Sequence, residues 1–149
     1  MIIHLHAWQS LRQTFPVRKP EWFMGAATAA FWLLLSLRTD LFDSSEAYSR
    51  LAAVAPQFVW SWFCFFVGVG RLVVLFVNGS YWRTPHARAL FAFANCFLWY
   101  HLSIGLAANA GFGIIFSATF FVFDVFNFKQ AFKEAAASEA LQHVERNIR

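Results

Sequence analysis

The sequence predicts an all-α membrane protein: a bundle of four transmembrane helices, both termini in the cytoplasm, with a cytoplasmic C-terminal helix. Three observations predict it: a composition too apolar for water, four apolar segments of near-spanning length, and a one-sided distribution of Lys and Arg. Of the 149 residues, 59% are hydrophobic and only 13% charged, against about 25% charged in an average soluble domain. Aromatics reach 20%, with 20 Phe and 7 Trp. A soluble domain of this size leaves about a third of its unfolded surface in water, more than such a composition tolerates. Lipid as the solvent removes the conflict.

The elements follow in chain order. Residues 1–21 form a tail in which Ile2, Leu5, Trp8, Leu11 and Phe15 recur at helical spacing, opposite His4, Gln9 and Arg12. That pattern predicts an interfacial helix on the inner leaflet. The tail has no apolar run and no small-residue cleavage site, so it does not read as a signal peptide. The spans are expected at about 22–37, 58–77, 89–108 and 111–128. A helix needs ~20 apolar residues to cross ~30 Å of hydrocarbon. The first and last segments are slightly short, and flanking aromatics and snorkelling basic residues extend them. Open strands are excluded because lipid leaves no backbone group unpaired.

The connectors fit this division. Residues 38–55 are polar, with Asp43 or Ser44 placed to cap a short helix that ends before Pro56. Asn78-Gly79 and Thr84-Pro85 are turn signals, and Pro85 suits the first turn of the third span. The stretch around Asn109 predicts a tight antiparallel hairpin. Residues 129–149 are rich in helix formers, with Ala137, Leu141, Val144 and Ile148 on one face, and continue the last span as a helical tail. No internal repeat or domain boundary interrupts the chain, so 1–149 reads as a single membrane domain.

Orientation follows from the basic residues. Nine of them (Arg12, Arg18, Lys19, Arg83, Arg88, Lys129, Lys133, Arg146 and Arg149) flank one side, and only Arg38 and Arg50 the other. The positive-inside rule then puts both termini in the cytoplasm. Trp22, Trp60, Trp62 and Trp82 stand near span ends and read as interfacial anchors. The formal charge of +4 does not imply nucleic acid, because the basic residues flank apolar runs and form no cluster.

Two charges fall inside spans, Arg71 in the second and Asp124 in the fourth. Each costs at least ~2.5 kcal/mol on insertion scales and calls for a partner. At ~1.5 Å per residue Arg71 lies roughly 6 Å from its helix midpoint toward the cytoplasm. Asp124 and Asn95 have similar offsets on their helices, so the three predict one buried polar layer: an Arg71–Asp124 ion pair with Asn95 filling remaining hydrogen bonds. Such a pair fixes helix register; a proton or ion pathway is the alternative reading. Cys64, Gly68, Arg71 and Asn78 share one stripe, as do Gly113, Ser117 and Asp124, while Gly25 and Ala29 allow close helix approach.

His101 is a secondary polar candidate in the third span, without a second histidine inside a span to complete a haem site. Cys64 and Cys96 lack disulfide or metal-ligand spacing and read as small core residues. H-E-x-x-H, G-x-S-x-G and P-loop motifs do not occur. The expectation is therefore no enzyme, cofactor, metal or nucleic-acid partner. The partners expected are the lipid bilayer and either further copies of the chain or another membrane protein.

One pattern carries a resemblance. W-x-W near the start of a span, then G-x-x-R-L-x-x-L-x-x-N-G, then P-x-x-R is read here as Trp60, Trp62, Gly68, Arg71, Leu72, Leu75, Asn78, Gly79, Pro85 and Arg88. It resembles small four-span membrane proteins encoded in bacteriophage and prophage genomes, over most of residues 20–128. The resemblance implies a bacterial inner-membrane setting and brings no activity or site residues. Function classes compatible with the sequence are a non-enzymatic protein acting through assembly or partner binding (host-envelope modification or exclusion of other phages), a permeability protein such as a holin-like lesion former or small channel, and an accessory subunit of a larger membrane complex.

Overall fold

A computed structural model describes residues 2–80, 85–107 and 112–148, with side chains for 15–77, 85–107 and 112–140. All regular structure among the described residues is helical. The long helices are α1 (Ile2–Leu37), α4 (Gln57–Ser80), α5 (Pro85–Ala107) and α6 (Gly113–Ile148). Between α1 and α4 lie two short helices, α2 (Leu41–Ser44) and α3 (Ser49–Val54), joined by a 3₁₀ turn at Glu46–Tyr48. Among the described residues three helical stretches are long and apolar enough to cross a membrane: Gln57–Val77, Pro85–Ala107 and Gly113–Ala140. At ~1.5 Å per residue they measure about 32, 35 and 42 Å, each enough for ~30 Å of hydrocarbon. Residues 22–37, expected as a fourth span, give about 24 Å at that rise and are not among the three.

The surface fits a membrane protein. Phe58, Phe66, Phe93, Phe116 and Phe126 are each at least 61% exposed, and large aliphatic side chains surround them. Soluble monomers rarely expose contiguous apolar patches beyond a few hundred Å². The interior holds polar groups beside its apolar core: Glu21, Thr28, Arg71, Arg88, Asn95, Ser117, Asp124 and Asn127 are all buried.

The long helices form two close pairs, α1 along α4 and α5 along α6. The pairs meet where α4 adjoins α5 and, more lightly, where α1 adjoins α6. Going round the bundle the order is α1, α4, α5, α6, which makes α1/α5 and α4/α6 the diagonals. Without a hydrophobic driving force in lipid, close packing needs small residues at the crossings. Gly68 supplies the tightest one: a Cβ there would lie 2.6 Å from the Ala29 backbone nitrogen of α1. Gly105 does the same for the connector, because a Cβ there would reach the Ala47 carbonyl oxygen at 2.5 Å.

The connector folds across one end of the bundle. Leu51 of α3 is 1% exposed and sits in a core with Leu35, Trp60, Cys64, Leu98, Trp99 and Leu102. Trp60 Nε1–H donates to the Leu51 carbonyl oxygen at 2.9 Å. Gln57 ties the connector's start: its amide nitrogen donates to the Leu35 oxygen at 2.9 Å and to the Arg38 oxygen, and its oxygen accepts from Phe42 N–H at 3.0 Å. Phe42 and Tyr48 stack at 5.6 Å.

Several expectations need correction. Asp43 and Ser44 do not cap a helix; they are the last residues of α2, and the chain breaks at the extended Ser45. Helix α3 does end before Pro56. Trp60 is no interfacial anchor at 3% exposure, whereas Trp62 at 58% is placed for one. Asn78-Gly79 does not turn, because α4 stays helical to Ser80. The third long helix starts at Pro85, the residue expected in its first turn, and the charge of Arg88 within it is neutralised inside the bundle. The tail and the first apolar segment are one uninterrupted helix that includes Pro16 and Pro20; helices in membranes tolerate proline because neighbours satisfy the freed carbonyls. Residues 129–148 continue α6 without a break. The hairpin expected around Asn109 and the anchor Trp82 lie outside the described residues, as does the side-chain face of Leu141, Val144 and Ile148.

Candidate functional site

Polar side chains from all four long helices meet in the interior. Arg71 of α4 and Asp124 of α6 form an ion pair with Nη1 and Oδ1 2.5 Å apart; the side chains are 1% and 0% exposed. Asn127, one turn further along α6, donates its amide N–H to the same Asp124 oxygen at 3.2 Å. On the other diagonal, Thr28 of α1 lies 2.9 Å from Asn95 Oδ1 of α5 and 3.0 Å from its own Met24 carbonyl oxygen. Its single hydroxyl proton serves one acceptor at a time. With Asn95 Oδ1 turned to Thr28, its Nδ2 faces the carboxylate side. It interacts with Asp124 there without closing a hydrogen bond of ordinary length.

A second polar cluster lies about two turns away toward the α5 N-terminus. Arg88 Nε and Nη2 grip both carboxylate oxygens of Glu21 on α1, the first at 2.9 Å. Its Nη1 donates to Glu134 Oε2 of α6 at 2.5 Å. Arg18 approaches the same Glu134 oxygen at 3.8 Å. Arg88 is 1% exposed and Glu21 3%. Beyond them, His86 and Glu139 form an exposed pair at 3.3 Å.

The two clusters form a ladder. Thr28–Asn95 and Glu21–Arg88 have the same sequence separation of 67 residues, so α1 and α5 run parallel with both rungs in register. Seven residues separate the rungs on each helix, about 10 Å of rise. Arg71–Asp124 crosses the other diagonal at the level of the first rung. Both diagonals are therefore bridged by polar side chains, and the charges among Arg18, Glu21, Arg71, Arg88, Asp124 and Glu134 cancel.

The structure brings together Arg71, Asp124 and Asn95 and leaves His101 apart. His101 is half-buried and packs against Phe97 at 4.4 Å, with Trp60 and Tyr100 beyond. Cys64 is buried, Cys96 half-buried, and both thiols are free. Among the described residues no group of three or more His, Cys, Asp or Glu side chains is arranged to hold a metal ion.

Sequence reasoning missed Thr28, Asn127 and the whole Glu21–Arg88–Glu134 cluster. Their signal was helical spacing. Arg18, Glu21, Gly25 and Thr28 fall on one face of α1; Arg88, Asn95 and Trp99 on one face of α5; Ser117, Asp124, Asn127 and Glu134 on one face of α6. Treating charges near span ends as solvated flanks hid that continuity.

No family model, curated protein or solved structure matches this chain. The functional reading rests on its own residues and their arrangement.

Proposed function

We propose that the chain is a non-enzymatic protein of a bacterial inner membrane that acts through helix packing and assembly or partner binding. In this reading all four long helices cross the bilayer and both termini are cytoplasmic. The observation that carries it is the inside-out distribution of polarity. Every buried charge among the described residues is paired within the bundle, and the outer faces carry Phe, Leu, Val and Trp. Such a molecule offers lipid and neighbouring helices a shaped apolar surface around a rigid core. Helix α1 supports the fourth span by lying along α4, with Trp22 and snorkelling basic residues extending its short apolar segment. The resemblance to phage and prophage four-span proteins adds the setting: modification of the host envelope or exclusion of other phages.

A permeability protein is the second reading, favoured by the polar ladder that runs from Glu21 and Arg88 to Arg71 and Asp124. An accessory subunit would turn such charges outward to a partner; here they face inward. The test is membrane potential and dye leakage during controlled expression in bacteria, beside an Asp124→Asn control and site-directed crosslinking. A fully energised membrane with crosslinked complexes is expected. Abrupt depolarisation that requires Asp124 would replace the assembly reading with the permeability one. Reporter fusions finding the two termini on opposite sides would overturn the four-span topology.

A further inference from the structure

The Arg71 layer holds more hydrogen-bond donors than acceptors. Arg71 spends Nη1 on Asp124, while its Nε and Nη2, Asn95 Nδ2 and Trp99 Nε1 have no hydrogen-bond partner. Against these four donors, the one buried side-chain acceptor left over among the described residues is Asp124 Oδ2. The donor side chains are all more than nine-tenths buried, at 1% exposure for Arg71, 0% for Asn95 and 6% for Trp99. Arg88 is the internal contrast: its Nε, Nη1 and Nη2 are all engaged by carboxylates. The surplus therefore belongs to this layer and not to buried arginines in general.

Three of these donors share a neighbourhood, and the fourth lies one turn away. Arg71 and Asn95 both interact with Asp124. Trp99 follows Asn95 by one turn on the inner face of α5 and packs edge-on against Phe120 at 4.8 Å, one turn from Asp124 on α6. A buried donor without a partner costs about 1–3 kcal/mol, so a guest that relieves the surplus must accept hydrogen bonds. Water brings two donors of its own and relieves little of it. An anion brings only acceptors.

Charge balance sets a second requirement. Arg71 and Asp124 already cancel, and one added anion would leave a net negative charge among apolar helices, where each charge costs at least ~2.5 kcal/mol. A proton on Asp124 Oδ2, the oxygen without a partner, restores neutrality. Facing Asp124 are Arg71 from α4, Asn95 from α5 and Asn127 from its own helix, with Thr28 of α1 reached through Asn95 and Cys96 of α5 within electrostatic reach. Cys96 carries no charge at acid to neutral pH, and Arg18, Glu21, Arg88 and Glu134 are held together two turns away. We propose that Arg71, Asn95 and Trp99 form an intramembrane binding site for a small monovalent anion, taken up together with one proton on Asp124. The proposal goes beyond the assembly reading and stands or falls separately from it.

The test uses the full chain in dodecyl maltoside, followed by thermal unfolding. Sodium fluoride, chloride or formate replaces sodium gluconate at constant ionic strength, at two acid-to-neutral pH values. The expected result is a saturable rise in Tm with at least one of these anions. Its half-saturating concentration should fall about tenfold per unit of acidification, because one proton enters with each anion. Asp124→Asn should keep the saturable rise and lose its pH dependence, since a carboxamide is neutral throughout. Arg71→Gln should abolish it. A non-saturating rise common to all salts, or a saturable one in the wild type that ignores pH, overturns the proposal. The wild-type titration decides this even where Arg71→Gln does not fold.

Discussion

Removing one charge of the Arg71–Asp124 pair strands the other inside the bundle. The bonded atoms are 2.5 Å apart and neither side chain is more than 1% exposed. Arg71→Gln leaves the Asp124 carboxylate with the Asn127 amide at 3.2 Å and the nearby Asn95. Asp124→Asn leaves the guanidinium without a carboxylate. Breaking a buried pair in this way costs about 3–5 kcal/mol. The double variant Arg71→Gln with Asp124→Asn leaves two neutral amides, and its loss should be about 1–3 kcal/mol, the scale of imperfectly satisfied buried polar groups. The two single losses then exceed the double loss by at least ~3 kcal/mol, far outside the ~0.5 kcal/mol within which independent sites add. Exchanging the charges, Arg71→Asp with Asp124→Arg, should restore part of the stability. The restoration stays partial because the Arg71 stem lies against α1, its Cδ 3.7 Å from where a Cβ on Gly25 would stand. The assay is reversible unfolding in mixed dodecyl maltoside–SDS micelles, followed by circular dichroism. Single losses that simply add, with no rescue by the exchange, would refute the pairing as an energetic unit.

Two glycines two residues apart should behave differently. Gly68→Ala drives a Cβ into the Ala29 backbone at 2.6 Å, so the helices must separate, with a loss of about 1–3 kcal/mol. Gly70→Ala meets only the Phe91 ring, at 2.8 Å, which can swing aside; the same unfolding assay should find it close to wild type. Trp60→Phe keeps an aromatic ring but removes the bond to the Leu51 oxygen. Because that oxygen also accepts from Ala55 N–H at 3.0 Å, the loss should be only about 0.5–1.5 kcal/mol, seen chiefly as faster proteolysis of residues 38–56. Burial pushes the Tyr48 phenol above its ordinary value of 10.0. The fold therefore favours the neutral phenol: this contribution is complete below that value and is lost as pH rises through the higher folded one. An alkaline absorbance titration should show a late-ionising tyrosine that Tyr48→Phe removes, together with part of the alkaline destabilisation.

The class of fold was legible because it depends on composition: segments this apolar and this long have few alternatives to helices in lipid. Arg71, Asp124 and Asn95 stood out because polar residues in the middle of apolar runs demand partners, and counting along each helix placed them at one depth. The second cluster was not legible by that route. Arg18, Arg88 and Glu134 sit where solvated flanking charges also sit, and only the packing of three helices turns them inward. Trp60 misled for a similar reason. A tryptophan at a span end has the same sequence signature whether it meets headgroups or a folded-back connector, and here the connector reaches it. The burial of Arg88 depends likewise on Glu21, a residue 67 positions away.

The polar bridges fall on the diagonals, and the physics of helix association in lipid accounts for that choice. The pairs α1/α4 and α5/α6 already touch along their lengths and are held by close packing around residues such as Gly68. Diagonal helices touch little, so packing alone leaves their mutual register free. Two rungs of equal sequence separation remove that freedom for α1 and α5. A slip of one residue shifts α5 by about 1.5 Å and turns it by about 100°, which would strand Asn95 and Arg88 together. The Arg71–Asp124 pair does the same for α4 and α6. The opposite half of the bundle needs no such bridges, because the connector closes it with Leu51, Trp60 and the bonds of Gln57. One end is thus set by electrostatic matching and the other by a folded cap. A perturbation of the ladder should loosen helix register while leaving the capped end in place.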